Sequence, residues 1–130
     1  MAKVRIKSPK VYEPPPNTWS QALRAGNHVY IAGQTAMSPK GKLVGKGDPL
    51  AQARQVFKNI RGLVEKAGGT MNDVVKINVY VTDIRNADPV RRARGAFFKG
   101  DFPTSTLVCV AALASPDFLV EIEAVAVLPD

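Results

Sequence analysis

Alternating strand patterns broken by two helical stripes predict an α+β fold for this 130-residue chain: two layers, with one mixed β-sheet backed by two helices. Three observations carry that reading. Residues 73–82 alternate between apolar and polar side chains. Residues 50–67 repeat apolar side chains at helical spacing. Two strand-like runs, 102–110 and 119–127, follow a second helical segment. The length predicts one domain spanning residues 1–130, large enough for a core without staples.

The elements follow in order. Val4–Lys7 reads as a short first strand. Residues 11–18 contain Pro14-Pro15-Pro16, too stiff and donor-poor for a helix or a central strand. His28–Ala32 reads as a strand ended by Gly33-Gln34, and Ser38-Pro39-Lys40-Gly41 as a turn. Asp48-Pro49 opens the clearest helix, a cap residue followed by proline at the first helical position. Leu50, Ala53, Val56, Phe57, Ile60, Leu63, Val64 and Ala67 form its apolar stripe, and Gly68-Gly69 closes it.

In residues 73–82, Val75, Ile77, Val79 and Val81 fall on one face, with Lys76, Asn78, Tyr80 and Thr82 on the other. Asp88-Pro89 opens a second helix. Val90, Ala93, Phe97 and Phe98 point inward, Arg91, Arg92 and Arg94 largely outward, Gly95 lies in the interior and Lys99-Gly100 ends it. The last run places Glu121 and Glu123 on one side of a strand, opposite Val120, Ile122 and Ala124. Paired carboxylates in such a strand are a solvated face, partners of Lys or Arg at a subunit contact, or a functional pair. Two helices cannot cover both sides of the sheet, so a homo-oligomer burying the polar face is expected.

Composition bounds the function. Hydrophobic residues are 45% and charged residues 22%, the balance of a soluble globular protein. One cysteine and one histidine leave no metal constellation. Cys109 reads as a small buried strand residue rather than a reactive thiol, and His28 as a polar strand residue rather than a base. The first residues lack the apolar run of a signal peptide, and no stretch approaches the roughly 18 apolar residues of a membrane span. A cytoplasmic protein without membrane contact is expected. The net charge of +7 is spread along the chain, without interleaved aromatics or a nucleic-acid motif, so a weak attraction to anions is favoured over nucleic acid.

Several ordered blocks carry a resemblance: Trp19-Ser20-Gln21-Ala22, Gly26–Gln34, Ala51–Gln55 with Asn59-Ile60, and Asp73–Lys76 leading to Val79–Asp83. Phe97-Phe98, Phe102-Pro103 and Val120–Ala124 complete them. Through them the chain resembles, over almost its whole length, the YjgF/Rid family of small imine/enamine deaminases. The resemblance implies a chorismate-mutase-like fold, a homotrimer forming a barrel, and ligand clefts between neighbouring subunits.

It also implies residue roles. In deaminating members a glutamate on the last strand holds the attacking water, an aromatic lines the pocket, and a Gly-Gln turn supplies backbone contacts. By position these are Glu121, Trp19 and Gly33 with Ala32 beside it. An arginine two residues after Phe-Pro clamps the substrate carboxylate in those members. Here that position is Ser105, followed by Thr106, and a serine provides one neutral hydrogen bond where arginine gives two charge-assisted ones.

Two positions stay open. Arg91 either supplies the missing charge or is an exposed helix arginine, and Trp19 either packs on a ligand or plugs the cleft. The leading expectation is a cofactor-independent hydrolase, catalytic through Glu121, with Trp19, Ala32, Gly33, Arg91, Ser105 and Thr106 binding a small-molecule substrate. The rivals are a metabolite-binding protein of the same fold, favoured by Ser105, and an RNA-directed activity.

Overall fold

The computed structural model describes residues 2–130. Six strands form one sheet: β1 (Lys3–Ile6), β2 (Ala22–Ala25), β3 (His28–Gln34), β4 (Val74–Val81), β5 (Thr104–Cys109) and β6 (Val120–Val127). Their spatial order is β1-β2-β3-β6-β4-β5. Every neighbouring pair is antiparallel except β4 and β5, which run parallel because α2 (Ala87–Arg94) carries the chain across between them. The longer helix, α1 (Pro49–Lys66), packs on the same face. The predicted mixed sheet backed by two helices is therefore the observed architecture.

Helix α1 starts where its chemistry dictates. The Asp48 carboxylate accepts from the Ala51 amide at 3.0 Å, and Pro49 occupies the first turn. Its apolar stripe is wholly buried at Ala53, Val56, Phe57, Ile60, Leu63 and Val64. It meets Val29 and Ile31 of β3, Ile77, Val79 and Val81 of β4, and Val120, Ile122 and Ala126 of β6. Full burial of side chains this size contributes about 1.5–3 kcal/mol each, so this one layer dominates the stability. Phe57 stacks on Phe97 and meets Phe98 edge-on, with ring centroids 5.4 and 5.8 Å apart, which anchors the segment after α2 to α1.

Several local expectations need correction. Strand β2 is absent from the pattern reading. It pairs with β3 through a tight hairpin at Gly26-Asn27, where Gly26 takes φ +60°. Gly33 and Gln34 do not end β3 but belong to it, after a bulge that shifts its register with β6 between Ile31 and Gln34. Val75 is exposed rather than buried, because a second irregularity between Val74 and Lys76 turns it out of the alternation. Gly95 is not inside α2. It caps the helix, so Phe97 and Phe98 pack from the segment beyond it. Cys109 is exposed because β5 forms an edge of the sheet.

The face away from the helices carries Tyr30, Lys76, Asn78, Tyr80, Glu121 and Glu123. Tyr30 and Val108 on that face are about half exposed, at 52% and 43%. No helix among the described residues is long and apolar enough to cross a membrane.

Candidate active site

Glu121 and Glu123 leave β6 on the same side and meet different surroundings. Glu123 stands opposite Asn78 of β4 and accepts from Asn78 Nδ2 at 3.0 Å and from Tyr80 Oη at 2.6 Å. Those hydrogen bonds, Tyr80 first and then Asn78, hold its carboxyl below the usual range, helped by the Lys76 charge. The same bond to Glu123 pushes the Tyr80 phenol up. Glu121 accepts no hydrogen bond from the described residues. Burial pushes its carboxyl up, and the Glu123 charge adds to this. Two like groups are thus driven to opposite protonation tendencies, an arrangement suited to acid–base work.

The bulge in β3 brings backbone against the Glu121 carboxyl. A Cβ added at Gly33 would lie 2.7 Å from Glu121 Cδ, so only glycine fits there without displacing the carboxylate. The bulge is held by a buried amide relay. Gln34 Nε2 donates to Gln21 Oε1 at 2.7 Å and to the Ala32 carbonyl at 2.9 Å, and Gln21 Nε2 donates to the Tyr12 carbonyl at 2.9 Å. The Ala32 amide donates to the Gln21 carbonyl at 2.8 Å. Gln34 and Gln21 are buried, so their bonds form away from competing water.

Two buried polar residues of α1 pin the loops on either side. Asn59 Nδ2 donates to the carbonyls of Thr35 and Met37 at 3.2 and 3.1 Å. Gln52 donates to the carbonyls of Gly45 and Asp117 and accepts from the Leu119 amide, each near 3 Å. Sequence reasoning passed over Gln21, Gln34, Gln52 and Asn59 as functional supports. The available signal was a polar residue recurring seven positions apart on the apolar stripe of α1.

These elements enclose a cavity of about 230 Å³. Trp19, Tyr12, Met37 and Phe118 form its apolar wall, and Glu121 with Gly33 its polar end. Of the residues expected from sequence, the fold brings together Trp19, Gly33 and Glu121. Trp19 is 48% exposed, so it lines the mouth of this cavity rather than filling it.

Ala32 lines a separate cavity of about 390 Å³ on the open face, with Tyr30, Lys76 and Glu123. Arg91 and Ser105 meet in a third, also about 390 Å³, beside Arg94. Ser105 stands opposite Ile77, on the helix side of the sheet. Thr106 stands opposite Asn78, on the open face, so the strand's alternation points these two neighbours apart. No group of three or more His, Cys, Asp or Glu side chains that could hold a metal occurs among the described residues.

A small cleft with one desolvated carboxylate, a glycine-backed wall and an aromatic rim can hold a polar planar group and a water. Known proteins share this fold. The family model described as Endoribonuclease L-PSP matches residues 11–128, and the chain belongs to this family, the YjgF/Rid proteins. A RutC family protein of Pyrococcus horikoshii is 39% identical over 112 residues, covering 86% of this chain and 88% of the relative. The 2-iminobutanoate/2-iminopropanoate deaminase of Dermatophagoides farinae is 33% identical over 128 residues, covering 98% and 99%. Among solved structures, RidA from the Antarctic bacterium Psychrobacter sp. PAMC 21119 superposes with a TM-score of 0.87 at 37% identity, covering 96% of this chain and 99% of that one.

Proposed function

We propose that this protein hydrolyses a small imine or enamine, releasing ammonia and leaving a carbonyl compound, in clefts between the subunits of a homotrimer. The observation that carries the reading is Glu121: a carboxylate raised by burial, without a hydrogen-bond donor of its own, packed against Gly33 in a cavity rimmed by Trp19. The deaminase named among the relatives supports the same reaction class.

Glu121 in its ionised form accepts a proton from a water as the oxygen attacks the C=N carbon. The C=N π electrons move onto nitrogen, and Glu121 returns the proton there, giving a neutral carbinolamine. Glu121 then takes the proton of the carbinolamine hydroxyl and passes it to the nitrogen, the C–N bond breaks, and ammonia leaves as the hydroxyl oxygen becomes the carbonyl. Imine and water in, carbonyl and ammonia out: the carboxylate ends as it began. The C=N carbon is already electrophilic, so the reaction needs no metal or organic cofactor. Trp19 packs on the body of the substrate, and the backbone of Gly33 contacts its polar end, joined from a neighbouring copy by Ser105 with Arg91 beside it.

The uncovered sheet face supports assembly, since Tyr30, Val108 and the Glu121–Glu123 face lack a covering layer within one chain. A second reading, a metabolite-binding protein without turnover, is favoured by Ser105 at the clamp position. One experiment separates them: ammonia release from imines generated in situ by an amino-acid oxidase. The expected result is release faster than buffer gives, lost in Glu121→Gln. Equal rates for wild type, variant and buffer across a broad imine panel would leave the binding reading standing.

A further inference from the structure

The loop between β1 and β2 supplies much of the wall of the Glu121 cavity. Val11, Tyr12 and Trp19 all come from it, with Trp19 at the mouth. Its middle, Pro14-Pro15-Pro16, has no amide to donate to a neighbouring strand. Asn17 then takes φ +62°, in the left-handed region, and Thr18 Oγ1 donates to the Pro15 carbonyl at 2.6 Å, so the chain turns sharply just before the indole. The two ends of this turn are tied from outside it. Arg5, opposite Leu23 in the register of β1 with β2, donates from Nη2 to the Glu13 carboxylate at 2.6 Å and to the Trp19 carbonyl at 3.1 Å. One guanidinium nitrogen thus bridges the residue before the prolines and the aromatic beyond them. The Arg5 and Glu13 side chains are 31% and 38% exposed, so as an ion pair they add little stability. Yet Arg5 Nε is buried without a hydrogen-bond partner among the described residues, and such a group calls for a specific role.

We propose that Arg5 is a positioning residue: it fixes Trp19 at the mouth of the cleft and so sets a preference for substrates with a flat apolar body. The inference rests on the reading of the Glu121 cavity as the substrate cleft. Trp19 is about half exposed, so packing fixes its indole only in part. An aromatic wall that the ligand itself must order draws that ordering cost from the binding energy, whereas a wall ordered beforehand does not. Arg5 orders it through the backbone, at the Trp19 carbonyl. Gln21 does the same for Tyr12 on the inner side, where Nε2 donates to the Tyr12 carbonyl at 2.9 Å. Arg5 does not itself line the cavity, and Glu121 with Gly33 forms the polar end. The tie therefore bears on the body of the substrate and not on its reacting carbon.

The test reads the rim and binding rather than turnover, so it survives failure of the hydrolase reading. Trp19 is the only tryptophan, and its time-resolved fluorescence anisotropy reports the local motion of the rim directly. Affinity is followed by ligand-observed NMR with 4-phenyl-2-butanone, a carbonyl compound with a flat apolar body, and with 2-butanone, which lacks the ring. Wild type should prefer the phenyl ketone. Arg5→Met should increase the motion of the indole and weaken the phenyl ketone about threefold to tenfold, leaving 2-butanone within about twofold. Arg5→Lys should restore part of the loss. Glu13→Gln, an exposed change that keeps the bond to the Trp19 carbonyl, should fall between wild type and Arg5→Met. In a Trp19→Ala background the effect of Arg5→Met on affinity should vanish, because Arg5 acts through the indole. Unchanged anisotropy in a folded Arg5→Met, equal weakening of both ketones, or an Arg5 effect that persists without the indole overturns the proposal. So does a wild type that binds both ketones alike, or neither. A wild type that prefers the phenyl ketone but releases no ammonia from imines would overturn the hydrolase reading and leave this one standing.

Discussion

Glu121 and Glu123 are two residues apart on one face of one strand, yet the fold treats them oppositely. Glu123 is saturated by Tyr80 and Asn78 and held ionised; Glu121 has no donor, sits deeper, and is pushed toward its neutral form. The difference lies in what faces each of them. β4 offers Glu123 a phenol and an amide, whereas the β3 bulge offers Glu121 only the bare backbone of Gly33. One carboxylate therefore helps hold the sheet, and the other is left unpaired, as the proposed hydrolysis requires.

Replacing each carboxylate by its amide is the strongest way to break that contrast. Glu121→Gln should lower the excess deamination rate about 10²–10⁴-fold, the usual worth of a positioned general base. The same variant should be at least as stable as wild type at neutral pH. The sign follows from linkage: a carboxyl whose pKa is raised by folding contributes stability when protonated, and loses it as pH rises through the folded value. Glu123, whose pKa is lowered, contributes stability above its unfolded value and loses it as pH falls. Denaturant melts of both amide variants across pH would show opposite slopes relative to wild type.

Gly33→Ala attacks the wall rather than the carboxylate. Its new Cβ would meet the Glu121 side chain well inside van der Waals distance, so the carboxyl must swing away. Such overpacking costs about 1–3 kcal/mol, and here most of it should fall on activity, a loss of roughly tenfold to a hundredfold in kcat/KM. A variant with wild-type kcat/KM would mean that the Gly33–Glu121 approach is irrelevant to turnover.

Much of this contrast was half legible before the structure. The pair of carboxylates in an apolar strand stands out as a candidate site, and the Asp48-Pro49 cap with its stripe fixes α1, because those signals are local and periodic. Strand β2 escaped notice since Ala22-Leu23-Arg24-Ala25 is too short to show a period, leaving only the Gly26-Asn27 turn as a hint. The alternation around Val75 and Cys109 assigned faces, but a bulge and an edge position decided whether those faces were covered. Which glutamate would be saturated depended on a register between β4 and β6, 43 residues apart at Tyr80 and Glu123. The buried roles of Gln21, Gln34, Gln52 and Asn59 depend in the same way on carbonyls of distant loops.

Tyr80→Phe is a gentler probe on the structural side. Removing the hydroxyl leaves Glu123 with Asn78 alone, and one charge-assisted hydrogen bond at a partly open site should be worth about 1–2 kcal/mol. Thermal or denaturant unfolding should register that loss, while kcat at neutral pH changes less than about threefold, since Glu123 stays ionised and Glu121 is untouched. A large fall in kcat with little change in stability would place Tyr80 in the chemistry instead.

The smallest expected effect is the most discriminating. If ionised Glu121 is the base, the acid limb of the kcat profile reports its pKa in the substrate complex. Burial is the larger cause of its upward shift and the Glu123 charge the smaller. Glu123→Gln removes only the second cause. The acid limb should therefore move to lower pH, because a neighbouring like charge disfavours the ionised form and its removal restores part of the acidity. The limb should remain above the ordinary carboxylate range, since burial still acts. Tyr80→Phe is the matched control: it weakens the support of Glu123 while leaving its charge, so the limb should stay in place. A limb that moves equally in both variants would trace the effect to a shifted strand rather than to charge. A limb that moves in neither would mean that the titrating base is not Glu121, and the contrast between the two carboxylates would lose its chemical meaning.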